Sequence, residues 1–271
     1  MVAKVSKTDH IATLTLSNPG SMNAISLEGF GELRAVFEAL RRDRDVHAII
    51  LTGEGKAFCA GAALDSFVDK HGFKLTPGTL RKAFDEHLNP LMRTMMEIEK
   101  PIIIAINGPV AGGGIGLALA GDVVIASETA RFHCGFVPML AIVPDAGTSW
   151  LLPNLMGRNR ALPMALLGDP LDAQEAMAEG LIYRVVGPDA LMEEARGYAE
   201  RLSRAPVDAL RRARMLFTDA AATRFSDMLD KERDANCELV AGPEMKEGVS
   251  AFLEKRTPDF KISGSDGGSG S

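Results

Sequence analysis

The chain has 271 residues, 46% of them hydrophobic and 24% charged, a composition that buries one substantial core and excludes global disorder. Its formal net charge of -6 argues against a nucleic-acid binder, whose affinity comes from a basic surface neutralising phosphates, so an anionic ligand would have to be met by local positive groups. Cys59, Cys134 and Cys237 are widely spaced and form no C-x-x-C pair, which points away from zinc and disulfides and toward a reducing cytosol.

In chain order, the alternation of His10–Ser17 predicts an edge strand, followed by a turn at Asn18-Pro19-Gly20. Ser26 is a plausible N-cap for a helix in which Leu27, Phe30, Leu33, Val36, Phe37 and Leu40 share one face, ending near Asp43. Val46–Thr52 reads as a short apolar strand closed by Gly53-Glu-Gly55. A longer amphipathic helix is expected from about Thr79 to Glu99, stopped where Pro101 disfavours αR at Lys100. Ile102–Ile106 is apolar on both faces and belongs inside a sheet. A glycine-rich turn, Asn107 to Gly116, then leads to an apolar helix and a strand over Asp122–Ser127. Strand, turn, helix and strand thus recur without a visible sequence repeat. Beyond Asp145 the pattern turns helical, with segments at Thr148–Leu155, Arg158–Leu167, Ala173–Glu179, Ala190–Ser203, Ala209–Thr218, Arg224–Leu239 and Pro243–Lys255. Residues 263–271 have the Gly/Ser composition of a flexible linker or tag remnant. No stretch offers the roughly 18 uninterrupted apolar residues of a spanning helix, and Met1 to His10 has no secretory pattern, so neither a membrane nor an export role is expected.

Two constellations could carry chemistry. Phe58-Cys-Ala-Gly-Ala-Ala-Leu64 follows a strand, and a glycine there lets the backbone turn sharply and leave N–H groups open to a ligand oxygen, although most strand-end glycines are simply turns. Gly112-Gly-Gly114 opens an apolar helix, where orphan N–H donors and the positive end of the helix dipole hold negative charge. Neither G-x-x-x-x-G-K-[ST] nor G-x-G-x-x-G opens here, so a nucleotide loop is disfavoured.

Taken together, Phe58-Cys-Ala-Gly-Ala-Ala-Leu64, Ala105-Ile-Asn-Gly-Pro-Val-Ala-Gly-Gly-Gly114 and Gly180-Leu-Ile-Tyr-Arg-Val-Val186 resemble successive signature segments of the enoyl-CoA hydratase/isomerase (crotonase) family, over roughly residues 3–260. Val143-Pro-Asp-Ala-Gly-Thr-Ser-Trp-Leu-Leu-Pro153 and Glu247–Arg256 are most similar to the members that isomerise epoxyphenylacetyl-CoA and related enoyl-CoAs. The resemblance implies an α/β fold, a spiral of ββα turns (crotonase fold) over residues 1–200, with a helical C-terminal trimerisation region over 201–262. It implies an acyl-CoA substrate, no resident cofactor or metal, and a homotrimer or dimer of trimers. The thioester oxygen would be held by the backbone N–H groups of Ala62 and Gly113, with Ala60, Ala62, Leu64, Gly113, Phe252 and Lys255 contacting the CoA ester and Lys255 meeting a phosphate. One departure stands in the first segment: many members have Asp after its Gly-Ala, where this chain has Ala63.

The family's hydratases use two glutamates, at positions that correspond here to Gly116 and to Phe136 or Val137, so ordinary hydration is not expected. The remaining carboxylate is Asp145, where the isomerase-like members carry their acid/base. A single carboxylate above an enolate can take a proton from one carbon and return it to another, which is a double-bond shift. Read from residues alone, Asp145 would sooner cap a helix starting at Thr148. Relative to the isomerase pattern the chain carries one extra residue between Phe132 and Asp145, and Ala141 stands at a usual glycine. Two other readings stay open. An Asp145 nucleophile would make an aryl-CoA dehalogenase or hydrolase, but His87 and Trp150 are not at the helper positions that chemistry needs. A non-catalytic acyl-CoA-binding scaffold would also lack the glutamates. His133 and Cys134, adjacent on a strand, point to opposite faces and form no catalytic pair. Glu97 and Glu99 read as a solvated helix end, Met92, Met95 and Met96 as core, and Arg211, Arg212 and Arg214 as surface charge.

Overall fold

The computed structural model describes residues 2–260, so the linker-like tail lies outside the described residues. The chain divides into two compact units, Met1–Ala199 and Glu200–Ser271. The first opens with β1 (Ala3–Thr8), β2 (Ile11–Leu16), α1 (Leu27–Arg42) and β3 (Ala48–Gly53), followed by a short hairpin of β4 (Val68–Asp69) and β5 (Gly72–Phe73). Then come α2 (Pro77–Ala83), α3 (Asn89–Glu97), β6 (Ile102–Ile106), β7 (Val110–Ala111), α4 (Gly113–Leu119), β8 (Val123–Ser127), β9 (Arg131–His133) and α5 (Phe136–Leu140). The unit continues through α6 (Thr148–Met156), α7 (Arg158–Leu167), β10 (Leu171–Asp172), α8 (Ala173–Ala178), β11 (Arg184–Val186) and α9 (Leu191–Ser203), whose end begins the second unit.

Six strands form the large sheet in the order β1-β2-β3-β6-β8-β11, parallel throughout except for the antiparallel β1–β2 pair. Every residue of β3 and β6 is buried, as a parallel sheet covered on both faces requires, and the Ile-rich sequences of these strands are the reason they take that place. A smaller sheet, ordered β10-β9-β7, is prolonged by single parallel bridges, Cys59 to Val110 and Ile25 to Ala62. Successive passes of the chain therefore place one strand in the large sheet, one in the small and then a helix: β6, β7, α4, then β8, β9, α5. This is the crotonase spiral of ββα turns.

Ser26 caps α1 as its sequence predicts, its hydroxyl accepting from Gly29 N at 3.0 Å, and the helix buries Phe30, Leu33, Phe37 and Leu40. Two expectations need correction. The strand read at the edge is interior, because β1 pairs along its outer side. β1 escapes a periodicity reading since only Ala3 of its six residues is buried; its Lys4 instead pairs with Glu54 at 2.8 Å and its Lys7 with Asp43. The helix expected over 79–99 is divided by a π-helical turn, Phe84–Leu88. Pro90 explains it, since proline has no N–H to give and its ring collides with the carbonyl four residues back, so one residue is accommodated in a wider turn.

The second unit carries α10 (Val207–Ala220), α11 (Phe225–Leu239) and α12 (Pro243–Glu254). These helices bury only Ala235 and Ala251, while Phe217, Phe225 and Phe252 are each at least 80% exposed. The Lys231–Asp219 ion pair at 2.5 Å joins α11 to α10 and the Arg256–Glu247 pair at 2.6 Å ties the chain after α12 back to that helix, and pairs of this kind on a surface add little stability.

Candidate active site

The site is built where two turns of the spiral touch. After β3, Asn23 and Asn107 fix the path of the chain. Asn23 is buried, donates to the carbonyls of Glu54 and Ala57 at 2.9 and 2.8 Å, and accepts from Asn18 N at 2.9 Å. Asn107 accepts from Gly53 N at 3.1 Å and donates to Gly55 O at 2.9 Å. Neither was singled out as a site residue from sequence, although Asn107 lies in the quoted Asn-Gly-Pro run.

Gly61 then turns with a φ of 86°, which a β-carbon would resist. Ile25 takes the two groups flanking Ala62: its N–H donates to Gly61 O at 2.8 Å, and its carbonyl accepts from Ala63 N at 2.8 Å. In a parallel bridge of this kind the N–H of the middle residue faces away, so the Ala62 amide points off the strand and meets no acceptor among the described residues. Gly112, with a φ of 52°, sends its N–H to His133 O at 3.3 Å and turns the chain into α4, whose first residue is Gly113. The Gly113 N–H is therefore one of the helix's orphan donors. A β-carbon on Gly61 would stand 2.9 Å from Gly113 N, and one on Gly114 only 2.4 Å from Cys59 O, so the two turns lie backbone against backbone. Ala60 adjoins this contact, its N–H donating to Met22 O at 2.9 Å, and Leu64 begins an exposed helical turn just beyond.

Asp145 stands over the second turn. Its Oδ1 lies 3.1 Å from where a β-carbon of Gly113 would be, is closed off from solvent and has no hydrogen-bond partner among the described residues. Burial raises the carboxyl to about 6. The capping role is not the one taken: α6 has Gly147 at its N-cap and no side-chain cap bond, and it is the Asp145 backbone carbonyl that accepts from Thr148 N at 2.8 Å. Ala141, at the usual glycine, has a φ of 54° and closes α5. At Gly116, a β-carbon would fall 2.0 Å from Ala146 O, leaving no room for any side chain, and Phe136 is buried.

His87 rests on α1, its Nδ1 2.7 Å from the β-carbon position of Gly31, and Trp150 lies partly exposed on α6. Burial pushes the Cys59 thiol up to about 12; burial and then the charge of Asp145 push Cys134 up to about 11, so both stay protonated at neutral pH. Phe252 and Lys255 are exposed residues of the second unit, Lys255 closing α12 in a left-handed conformation. Met92 and Met95 fill the core, and Glu97 and Glu99 are exposed. Among the described residues no group of three or more His, Cys, Asp or Glu is placed for a metal ion, and no helix is long and apolar enough to cross a membrane.

A crotonase fold in which two glycine turns lie backbone against backbone beneath a largely buried carboxyl defines an acyl-CoA enzyme of the crotonase class. The chain matches the enoyl-CoA hydratase/isomerase family over residues 6–263. It is 38% identical to the 1,2-epoxyphenylacetyl-CoA isomerase of Escherichia coli (strain K12), over 92% of this chain and 94% of that one. It is 33% identical to the 2,3-dehydroadipyl-CoA hydratase of the same strain, over 95% of this chain and 97% of that protein. The enoyl-CoA hydratase of Bacillus anthracis superposes with a TM-score of 0.87 at 32% identity, covering 96% of this chain and 99% of that one. This protein belongs to the enoyl-CoA hydratase/isomerase family.

Proposed function

We propose that the chain is an acyl-CoA double-bond isomerase. The observation that carries this reading is the carboxyl of Asp145, whose Oδ1 is shut from water, has no hydrogen-bond partner among the described residues and lies over Gly113. The N–H groups of Ala62 and Gly113 donate to the thioester oxygen and stabilise the charge that gathers on it when an α-proton leaves, an effect worth about 3–4 kcal/mol for a donor of this type. Asp145, as carboxylate, takes that proton from a 3-enoyl thioester. The electron pair runs into the carbonyl, and Asp145 returns the proton to the γ-carbon, leaving the double bond conjugated with the ester. Protons and electrons balance with no cofactor.

Hydration needs a second group to activate water, and the positions that match the glutamates of this family's hydratases are a filled notch at Gly116 and either the buried Phe136 or the half-buried Val137, none of which carries a carboxylate. The likeness to the Escherichia coli isomerase supports the same reading, while hydratases among the relatives support the shared enolate chemistry. On this proposal Ala60 and Leu64 line the path of the CoA ester, Phe252 contacts it and Lys255 meets a phosphate. The exposed phenylalanines of α10–α12 offer surface for self-association, and the proposal extends to a homotrimer, alone or paired into a dimer of trimers, working in the cytosol.

The test is direct. Purified protein is given a 3-enoyl-CoA and conjugation is followed by absorbance, with Asp145→Asn beside it. Turnover by the parent and a fall of about 10²–10⁴-fold in the variant is the expected result. Halide release from a haloaryl-CoA would replace the isomerase by the dehalogenase, and tight acyl-CoA binding without turnover would leave a binding scaffold.

A further inference from the structure

The turn that carries Asp145 is held from two sides. From α6, Thr148 N donates to Asp145 O at 2.8 Å and Ser149 Oγ donates to Pro144 O at 3.0 Å. From below, it lies on α4. Ala146, the next residue, is buried and has a φ of 48°, in the left-handed region that a residue with a β-carbon disfavours. A surrounding that over-determines the conformation has to hold it there.

That surrounding is a notch on α4. Gly113 and Gly116 are three residues apart and so share one helix face. The Ala146 methyl lies 3.7 Å from the β-carbon position of Gly113 and 2.7 Å from that of Gly116, and the Ala146 carbonyl lies 2.0 Å from the latter. Ordinary contact begins at 3.4 Å. Any side chain at 116 must therefore lift the turn by more than an ångström, since the atom in the way is backbone and not the end of a flexible chain.

We propose that Gly116 is a positioning residue: its missing side chain seats the Asp145–Ala146 turn on α4 and so sets the Asp145 carboxyl over the Gly113 amide. The inference rests on the isomerase reading only for the part Asp145 plays in turnover; the seating is a property of the turn itself. Among the described residues the titratable neighbour that feels the charge of Asp145 is the Cys134 thiol, which stays protonated over the range tested.

The experiment is a carbon-13 titration of the Asp145 carboxyl, assigned with D145N, in the parent, in G116A and in A146V, together with kcat and KM on a 3-enoyl-CoA. A146V disturbs the same turn from its own side and leaves α4 unaltered. The parent should titrate at about 6. In both folded variants the midpoint should fall toward the ordinary carboxylate value of about 4 as the group meets water. Turnover should drop about 100-fold, with KM changed less than threefold, as misplacement of a reacting group by about an ångström predicts. A purely structural role would lower the melting temperature without moving the midpoint. Parent-like titration and turnover in either folded variant would overturn the proposal. A parent that does not isomerise, with midpoints that still move in both variants, would discard the isomerase reading and keep the seating.

Discussion

Asp145 sets how the molecule answers to pH. Its carboxyl rises from 3.8 to about 6 on folding, so between those values the folded chain holds a proton that the unfolded chain has released. Stability assigned to this group is therefore complete below about pH 4 and is lost as pH rises through 6. The loss is roughly 1–3 kcal/mol, the upper figure being the whole shift and the lower allowing for the partial exposure of the residue. D145N, neutral at every pH, should melt higher than the parent at pH 8 and level with it near pH 4, as calorimetry would read. Activity should run the other way, with kcat/KM rising through about pH 6 as the carboxylate forms, and a flat profile would remove Asp145 from the proton transfer. Asn23 offers a second test at this scale. It satisfies two carbonyls of the chain leading into the first glycine turn and the N–H of Asn18, so Asn23→Ala should cost about 2–3 kcal/mol in urea unfolding, the penalty of leaving buried polar groups unpaired. The two glycine turns were visible in the sequence because glycine at a strand end has few other uses. The geometry that rules out Asp145 as a cap was not, because it depends on Gly147 taking the cap position and on burial by neighbours distant in the chain.

Among the elements, α1 shows how far local signals reach. Its cap, buried face and end are all written in residues 26–43, and Ser26→Ala should cost about 1 kcal/mol, seen as a lower denaturation midpoint with an unchanged m-value. The next residue back, Ile25, binds both sides of Ala62, so the start of α1 also fixes the first turn of the site. β3 and β6 were equally legible, since continuous Ile-rich runs have no place but a covered sheet. β1 was not, because an edge strand held by lysine pairs has no apolar period to read. The π turn within 84–88 was hidden for another reason: a helical pattern with a proline inside predicts a break or a kink, and only the packing of α3 on α1 decides that the chain widens and continues.

At the scale of the whole molecule, the second unit has two buried alanines on its three helices and a run of exposed phenylalanines, too little to hold it folded alone. Residues 200–260 expressed by themselves should show weak, non-cooperative helicity by circular dichroism, whereas the full chain should unfold cooperatively. Light scattering should give the full chain a mass three times 28.9 kDa or twice that again, and Phe217→Glu should lower it; a monomeric mass for the parent would end the trimer proposal. The parallel sheet has a further consequence, for the order of assembly. Its pairings join Ile11 to Ala48, Ile49 to Ile102 and Ile125 to Arg184, so within this sheet no strand after β2 finds a partner within a hairpin's length. Closing such loops must precede any reward from the pairing, which slows refolding relative to a helical protein of this length. During synthesis on the ribosome, β3 emerges about fifty residues before the strand that will cover its second edge, and the isoleucine row of a half-built sheet stays open to other nascent chains for that interval.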